Sequence, residues 1–450
     1  MRMTVRTYLA IGSLGVCAIA APSHGQDKAA APKPAPSEVV TWTLDNGLSV
    51  AYVHRPAAPV ASVQMWYRAG TRDEPNDRRG VARLFEYLMF MGSDRVRTGD
   101  HRNFIESTGG YVDAFVIEDA AAFNNTVPSQ HLDRVLELEA DRMRGLLFRD
   151  DAIAAAKAEL TDAIRRSHGS PFFRALVELM DESFSKHPYR RTSAGEVSDV
   201  EGLTAADIKS FYDGYYVPSN ALLVIAGAVE ADAARSAVDR HFAAIPAGTV
   251  PSRPSQVKEP GQTKTRRRQA DGQAPIGFVV VGYHIPEAKH EDIYALQVLS
   301  IILARGESAR LKKRFEKDES VRGSSAEALV REHPGLFVAY AASAPGADAQ
   351  AIEKALVSEL AVVTTKAPGA KEVARAKKQL SSGLAVGLDQ LTGMARQIGQ
   401  SWVLTGDPTH FLADIAAFDA VTPQAILAAS KRYFTEKNRT VVIVRPAGGR

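Results

Sequence analysis

One helical stretch of the 450-residue chain carries side chains that could do chemistry, residues 80–93 with the sequence GVARLFEYLMFMGS. Glu86 is its only carboxylate, and a glutamate can activate water when a metal ion assists it. Arg83 lies three positions earlier and Tyr87 follows directly, so an Arg83–Glu86 ion pair on one helix face explains the same residues structurally. Glu86 is therefore either an ion-pair partner or a hydrolytic group.

No conventional metal site accompanies Glu86. Arginine stays protonated and has no lone pair to donate, and the tyrosine hydroxyl, with a pKa of about 10, replaces imidazole poorly. A catalytic Zn²⁺ takes about three protein ligands, which a single glutamate cannot supply. Cys17 is the only cysteine, and the histidines after residue 25 include no pair at i and i+4. A site assembled from distant histidines stays open as an alternative.

Residues 80–93 resemble the zinc-binding helix of the insulinase/pitrilysin (inverzincin) metallopeptidases, whose motif is H-x-x-E-H. In that motif two histidines on one helix face reach the same metal, and the glutamate polarises the metal-bound water. Residue by residue, Arg83 stands at the first histidine, Glu86 at the glutamate and Tyr87 at the second histidine. The resemblance implies a degenerate motif from which only Glu86 survives.

The family's distal zinc ligand is a glutamate in a later helix, which precedes a His/Asp-x-Pro segment. Ser170-Pro171 anchors that position at Ala163, and a further family glutamate, seven residues earlier, falls at Ala156. All three ligand positions are thus replaced. Although the family binds zinc, no cofactor is expected in this chain.

The resemblance extends over nearly the whole chain from residue 38 onwards. LDNGLSV resembles the family's opening hairpin, and residues 109–124, GGYVDAFVIEDAAAFN, resemble the edge strand that pairs with extended peptide substrates. Most polar positions of that strand are apolar here, which leaves Asp113 and Asp119 as candidate substrate-binding residues. The competing interpretation is that both aspartates cap local backbone groups. Backbone pairing with a peptide needs no particular side chain, so peptide binding by strand addition stays open.

Local patterns predict the elements around these residues. Polar–apolar alternation over 38–53, interrupted by Asn46-Gly47, predicts a hairpin, and residues 59–68 predict a further strand. Helical periodicity begins near Gly80 and recurs over 131–145 and 151–166.

Residues 248–274 are rich in proline and glycine and lack apolar periodicity, which predicts an exposed linker. The run Arg266-Arg267-Arg268 within it is either solvated or docks a partner.

The two sides of this linker look duplicated. Residues 204–227 align without gaps to 422–445, and each segment reads as a capped helix, an aromatic-rich turn and a buried strand. We therefore predict an α+β fold of two homologous peptidase-like domains, 38–247 and 275–450. Each is expected to be a largely antiparallel sheet packed with helices, and together they would form one half of a clam-shell.

The N-terminus predicts export. Residues 1–25 combine Arg2 and Arg6 with an apolar stretch from Tyr8 to Ala21, as in a signal peptide, and residues 26–37 read as a flexible leader. The periplasm of a Gram-negative bacterium is the expected location. Without Arg2 and Arg6 the chain has 53 basic and 52 acidic residues, a balance that predicts neither nucleic-acid binding nor a polybasic membrane surface. No transmembrane segment is predicted.

Three functions compete at this point. The first is a non-catalytic subunit that pairs with an active homologue bearing H-x-x-E-H and helps to hold unfolded peptides, as inert subunits of this family do. The second is an active metalloendopeptidase with an atypical site. The third is a stand-alone peptide-binding or scaffold protein.

Overall fold

The computed structural model describes residues 38–191, 195–253, 257–272 and 274–447, so the predicted signal peptide and leader lie outside it. The described chain forms two sheets flanked by helices, which confirms the α+β class. The strands are β1 (Val40–Thr43), β2 (Ser49–His54), β3 (Val60–Tyr67), β4 (Tyr111–Val116), β5 (Ala121–Pro128), β6 (Ala221–Gly227), β7 (Arg266–Asp271), β8 (Gly277–His284), β9 (Val321–Leu329), β10 (Leu336–Ser343) and β11 (Arg439–Arg445).

The α-helices of the described residues follow the same order in both halves. They are α1 (Val81–Leu88), α2 (Asp100–Ser107), α3 (Leu132–Arg144), α4 (Asp150–His168), α5 (Pro171–Ser183), α6 (Val197–Gly202), α7 (Ala205–Tyr215), α8 (Ala231–Phe242), α9 (Asp292–Ala304), α10 (Arg310–Phe315), α11 (Ala349–Thr365), α12 (Ala370–Asp389), α13 (Leu391–Thr405), α14 (Asp414–Ala420) and α15 (Pro423–Tyr433). The predicted opening hairpin, the strand near 59–68 and the helices near 80, 131–145 and 151–166 are confirmed as β1–β2, β3, α1, α3 and α4.

Both sheets have one topology. The first has the order β1-β2-β6-β3-β5-β4 and the second β7-β11-β8-β10-β9. In each sheet a single parallel pair, β2 with β6 or β7 with β11, joins otherwise antiparallel strands. The second sheet therefore repeats the first without β1, and the two domains are homologous as predicted.

The same side-chain contacts recur at equivalent places in the two domains. Thr204 and Thr422 cap α7 and α15 by accepting hydrogen bonds from the backbone three residues on, at 3.2 and 3.1 Å. Asn220 Nδ2 donates to the Tyr215 carbonyl, and Asn438 Nδ2 donates to the Tyr433 carbonyl, both at 2.8 Å. These hydrogen bonds fix the turn between α7 and β6 in the first domain and the turn between α15 and β11 in the second.

The prediction of an irregular linker over 248–274 is wrong for Arg266–Asp271, which is the outer strand β7. Its residues lack an apolar face, so only the parallel ladder to β11 defines it as a strand. The basic run is paired within the chain. Arg267 forms two hydrogen bonds with Glu353, at 2.8 and 2.6 Å, and Arg268 contacts Asp181 at 2.6 Å.

One helix of each domain packs on the sheet of the other domain. Helix α13 of the second half packs on the first sheet, where Trp66 and Leu222 meet Ile398 and Trp402. A side chain at Gly399 would begin 2.1 Å from the Trp66 ring, so glycine permits this close approach. Helix α5 of the first half covers the second sheet in the same way. The two halves are thus interlocked, although the sequence suggested two units joined by a linker.

The segment predicted as one edge strand, 109–124, is instead a hairpin of β4 and β5. Only β4 lies at the edge of the sheet, whereas β5 is an interior strand paired with β3 and β4. Within the described residues no single helix is long and apolar enough to cross a membrane. The sharply bent pair His410–Ala420 and Pro423–Tyr433 reaches that length and apolar composition only when its two segments are taken together.

Candidate functional site

Helix α1 carries the H-x-x-E-H counterpart and is held in the core of the first domain. It begins after Gly80, whose φ of 85° is left-handed, and seven of its eight residues are buried. The Glu74 carboxylate accepts the Ala82 N–H at 2.9 Å and so satisfies one of the free donors of the first turn. The sequence pattern of Val81, Leu84, Phe85 and Leu88 drives this burial against the sheet and α7.

Arg83 and Glu86 form the ion pair that their spacing allows. Arg83 Nε lies 3.5 Å from Glu86 Oε1, and both side chains are about nine-tenths buried. Glu86 Oε1 also accepts the backbone N–H of Val116, at the end of β4, at 2.9 Å. Burial raises the pKa of Glu86, while Arg83 and the Val116 N–H oppose that rise by stabilising the carboxylate. The glutamate thus ties α1 to the edge strand.

Tyr87 fills the space beside α4. Only 2% of the residue is exposed, and burial raises the pKa of its hydroxyl to about 12. Glu159 raises and Arg166 lowers the pKa of Tyr87 by their charges, and these two residues flank Ala163 on one face of α4. The structure therefore brings the helix that carries the mapped distal position against the mapped helix, since α1 packs on α4. Ala156 and Ala163 are themselves buried, at 0% and 1% exposure.

The two candidate substrate-binding aspartates have different surroundings. Asp113 lies on β4, is partly exposed, and accepts a hydrogen bond from Asn124 Nδ2 at 2.6 Å. Its contact with a peptide stays a prediction.

Asp119, in the turn between β4 and β5, is buried in an ion network between the halves. Arg72 Nη1 donates to Asp119 Oδ1 at 2.8 Å, and the Tyr189 hydroxyl donates to the same oxygen at 2.5 Å. The Glu332 N–H lies 3.3 Å from Asp119 Oδ2, and the Glu332 carboxylate pairs with Arg72. These contacts give Asp119 a structural role, and its contact with a substrate stays a prediction.

The electrostatics of this network favour ionised Asp119. Burial alone would raise its pKa, but Arg72 and Arg331 outweigh burial and hold the pKa of Asp119 below its usual value. Arg331 in turn lies 3.1 Å from Glu118. Sequence reasoning missed this network. The charged run Arg72-Asp73-Glu74, buried between a strand and a helix, was the one local signal of it.

Family profiles match both halves of the chain. Residues 49–194 match Insulinase (Peptidase family M16), and residues 202–380 match the Peptidase M16 inactive domain. The chain belongs to the insulinase family of peptidases.

Several members of this family are similar over most of the chain. The Zinc protease PqqE of Helicobacter pylori is 26% identical and covers 90% of this chain, which spans 92% of that protein. The probable mitochondrial-processing peptidase subunit beta of Arabidopsis thaliana is 24% identical, over 92% of this chain and 79% of its own length. A crystal structure of a protease from H. pylori has a TM-score of 0.86 and 24% identity, covering 92% of this chain and 100% of that one.

The residues at the family's zinc position do not fit zinc. Arg83 offers no lone pair, burial raises the pKa of the Tyr87 hydroxyl to about 12, and Ala163 has no donor atom. Glu86 is bonded to the Val116 N–H and paired with Arg83. Within the described ranges, no group of three or more histidine, cysteine, aspartate or glutamate side chains is arranged to hold a metal ion. We derive no zinc chemistry from this site.

Proposed function

We propose that this insulinase-family chain is a non-catalytic subunit that pairs with an active homologue carrying an intact H-x-x-E-H motif. The observation that carries the proposal is the filling of the zinc position by Arg83, Glu86 and Tyr87 while the surrounding two-domain fold is kept. A family fold without ligands can still close a chamber around a peptide. The A. thaliana relative is named as a subunit of a processing peptidase, which supports a paired arrangement.

Strand β4 is the part of this subunit that would hold an extended peptide. It lies at the outer edge of the first sheet, where a peptide can add as a further strand. Glu86 accepts the Val116 N–H, and Arg102 Nη1 lies 3.5 Å from the Val112 carbonyl. Pairing would therefore centre on Ala114, between these two bonded positions. Asp113 lies beside it and would contact the peptide.

The proposed address is the periplasm, supported by the signal-like sequence of residues 1–25. The substrate would then be a peptide of the cell envelope.

Co-purification with an H-x-x-E-H-bearing homologue from the same organism tests the proposal. We expect a heterodimer by size-exclusion chromatography with light scattering, and faster cleavage of an unstructured peptide than by the homologue alone. The chain alone should contain no stoichiometric zinc by elemental analysis and should cleave nothing. A strictly monomeric chain without effect on the homologue would contradict the pairing, and chelator-sensitive cleavage by the chain alone would contradict the loss of catalysis.

The variant Glu86→Gln separates the two roles of Glu86. In the proposed heterodimer it should leave peptide cleavage unchanged, since Glu86 has only structural contacts. Loss of cleavage with a native circular dichroism spectrum would make Glu86 a catalytic residue instead. Exposed Glu201→Gln is the matched control.

A further inference from the structure

The second domain contains a cavity of about 280 Å³ at the place that corresponds to the degenerate zinc site of the first domain. In the first domain that place lies between α1, β4 and α4. Its counterparts by topology are α9, β9 and α12, and all three line the cavity. Helix α13, helix α14 and the first-domain residues Trp66, Ile117 and Asp119 also line it.

The polar wall of this cavity offers hydrogen-bond acceptors. Glu327 lies on β9, Gln297 on α9 and Gln379 on α12, so the three side chains reach the cavity from three elements. Gln297 Oε1 and Gln379 Oε1 are buried and have no hydrogen-bond partner among the described residues. Unmet buried acceptors cost stability unless a donor satisfies them.

Glu327 is a carboxylate without an ion pair in the described part of the chain. Burial raises its pKa to about 7, and the charges of Arg331 and Arg305 only partly oppose that rise. Arg331 is already paired with Glu118 at 3.1 Å. A cation brought to Glu327 would relieve the cost of a half-buried negative charge that has no ion pair among the described residues.

Ile301, Leu380 and Leu384 form an apolar part of the wall. Arg305, Arg331 and Asp119 also line the cavity, and Arg331 and Asp119 belong to the ion network between the halves. A ligand that satisfies both parts of the wall has one end rich in N–H donors and an aliphatic stem. A primary ammonium has three donors, one for each of the three acceptor side chains. Drug-sized ligands occupy about 300–1,000 Å³, so this cavity suits a smaller molecule.

We propose that this cavity binds an aliphatic primary ammonium group, with its donors on Glu327, Gln297 and Gln379 and its methylenes along Ile301, Leu380 and Leu384. Two sources share this chemistry, a free alkylamine and the lysine side chain of a peptide. The proposal is independent of pairing with an active homologue, because the whole site lies within this chain.

Isothermal titration calorimetry of the full mature chain with n-pentylamine at pH 8 tests the proposal, with pentan-1-ol as the uncharged control. We expect saturable binding of the amine and much weaker binding of the alcohol. Glu327→Gln should weaken amine binding by about tenfold to hundredfold, since a hydrogen bond to a charged group is lost. Exposed Glu319→Gln is the matched control and should bind normally.

Absence of amine binding, equal binding of alcohol and amine, or unchanged affinity in Glu327→Gln with a native spectrum would each overturn the proposal. The two sources are separated by competition. An acetylated, amidated pentapeptide with a central lysine is compared with its norleucine analogue. Displacement of pentylamine by the lysine peptide alone supports a peptide side chain as the ligand, and pentylamine binding without displacement supports a free amine.

Discussion

Helices α1 and α9 occupy equivalent places in the two domains. Helix α1 borders a filled site, whereas α9 borders an open cavity. In the first half, Tyr87 and Arg83 occupy the space between α1, β4 and α4, with 2% and 7% of their surfaces exposed. In the second half, α9, β9 and α12 surround about 280 Å³ lined partly by polar groups. One topology thus supports two different interiors at equivalent places.

This difference describes the two interiors. At the positions that the resemblance maps to the family's histidines, the first domain has a large aromatic side chain and an internal ion pair, and both are packed in the core. The second domain has no such filling and keeps unmet acceptors at its cavity wall. The first site contributes to stability, while the second is available to a ligand.

The largest expected effect is on the free energy of unfolding, when a tyrosine of either site is truncated to alanine. Tyr87→Ala should lower the free energy of unfolding by about 3–5 kcal/mol, because it opens a cavity in a packed core. Tyr294→Ala, at the wall of the existing cavity, should cost clearly less, since Tyr294 is only partly buried. Urea unfolding followed by circular dichroism measures both. Equal losses would mean that the second site is packed as tightly as the first.

The second prediction concerns the network that holds the two halves together. Asp119→Ala removes one of the carboxylate partners of buried Arg72, together with the acceptor of the Tyr189 hydroxyl, and should cost about 3 kcal/mol or more in urea unfolding. Asp113→Ala, on the edge strand, should cost about 1 kcal/mol, the value of one hydrogen bond. A similar, small loss for both variants would contradict the structural role assigned to Asp119.

A third, smaller effect tests the ion pair of the first site. Glu86→Gln should lower the free energy of unfolding by about 1–3 kcal/mol, because the Arg83–Glu86 ion pair loses its negative charge. Glu327→Gln in the second site should not destabilise the chain at pH 8, since Glu327 has no ion pair within the described ranges to lose. Thermal unfolding of both variants at pH 8 makes the comparison. A larger loss of stability in Glu327→Gln than in Glu86→Gln would contradict this prediction.

The last prediction is a pH dependence from the second site. The pKa of Glu327 rises from 4.5 to about 7 on folding, so the folded state binds the additional proton. The stability that Glu327 contributes is therefore fully present below pH 4.5 and is lost as the pH rises through 7. Glu327→Gln should flatten the stability curve between pH 5 and 7 relative to the exposed control Glu319→Gln. Parallel curves for the two variants would contradict the buried state of Glu327.

Much of the fold could be predicted from local sequence. The Asn46-Gly47 turn, the apolar periodicity of α1, α3 and α4, and the repeated Thr, Tyr and Asn positions around α7 and α15 depend on residues near each other in the chain. The ion pair of Arg83 and Glu86 belongs to the same class, because i and i+3 share a helix face. Strand β7 was missed, since an outer strand of polar residues has no period to detect.

What tertiary structure decided is which distant groups meet. Arg72 and Glu332 are 260 positions apart, and Asp119 and Glu332 are 213 apart, yet they form one network. The exchange of α5 and α13 and the cavity between α9, β9 and α12 depend in the same way on packing between elements. The sequence alone determined that Arg83, Tyr87 and Ala163 are poor zinc ligands, because the donor atoms of a side chain are a local property. Only the folded chain decided what fills one site and leaves the other open, since volume and burial come from the packing of distant elements.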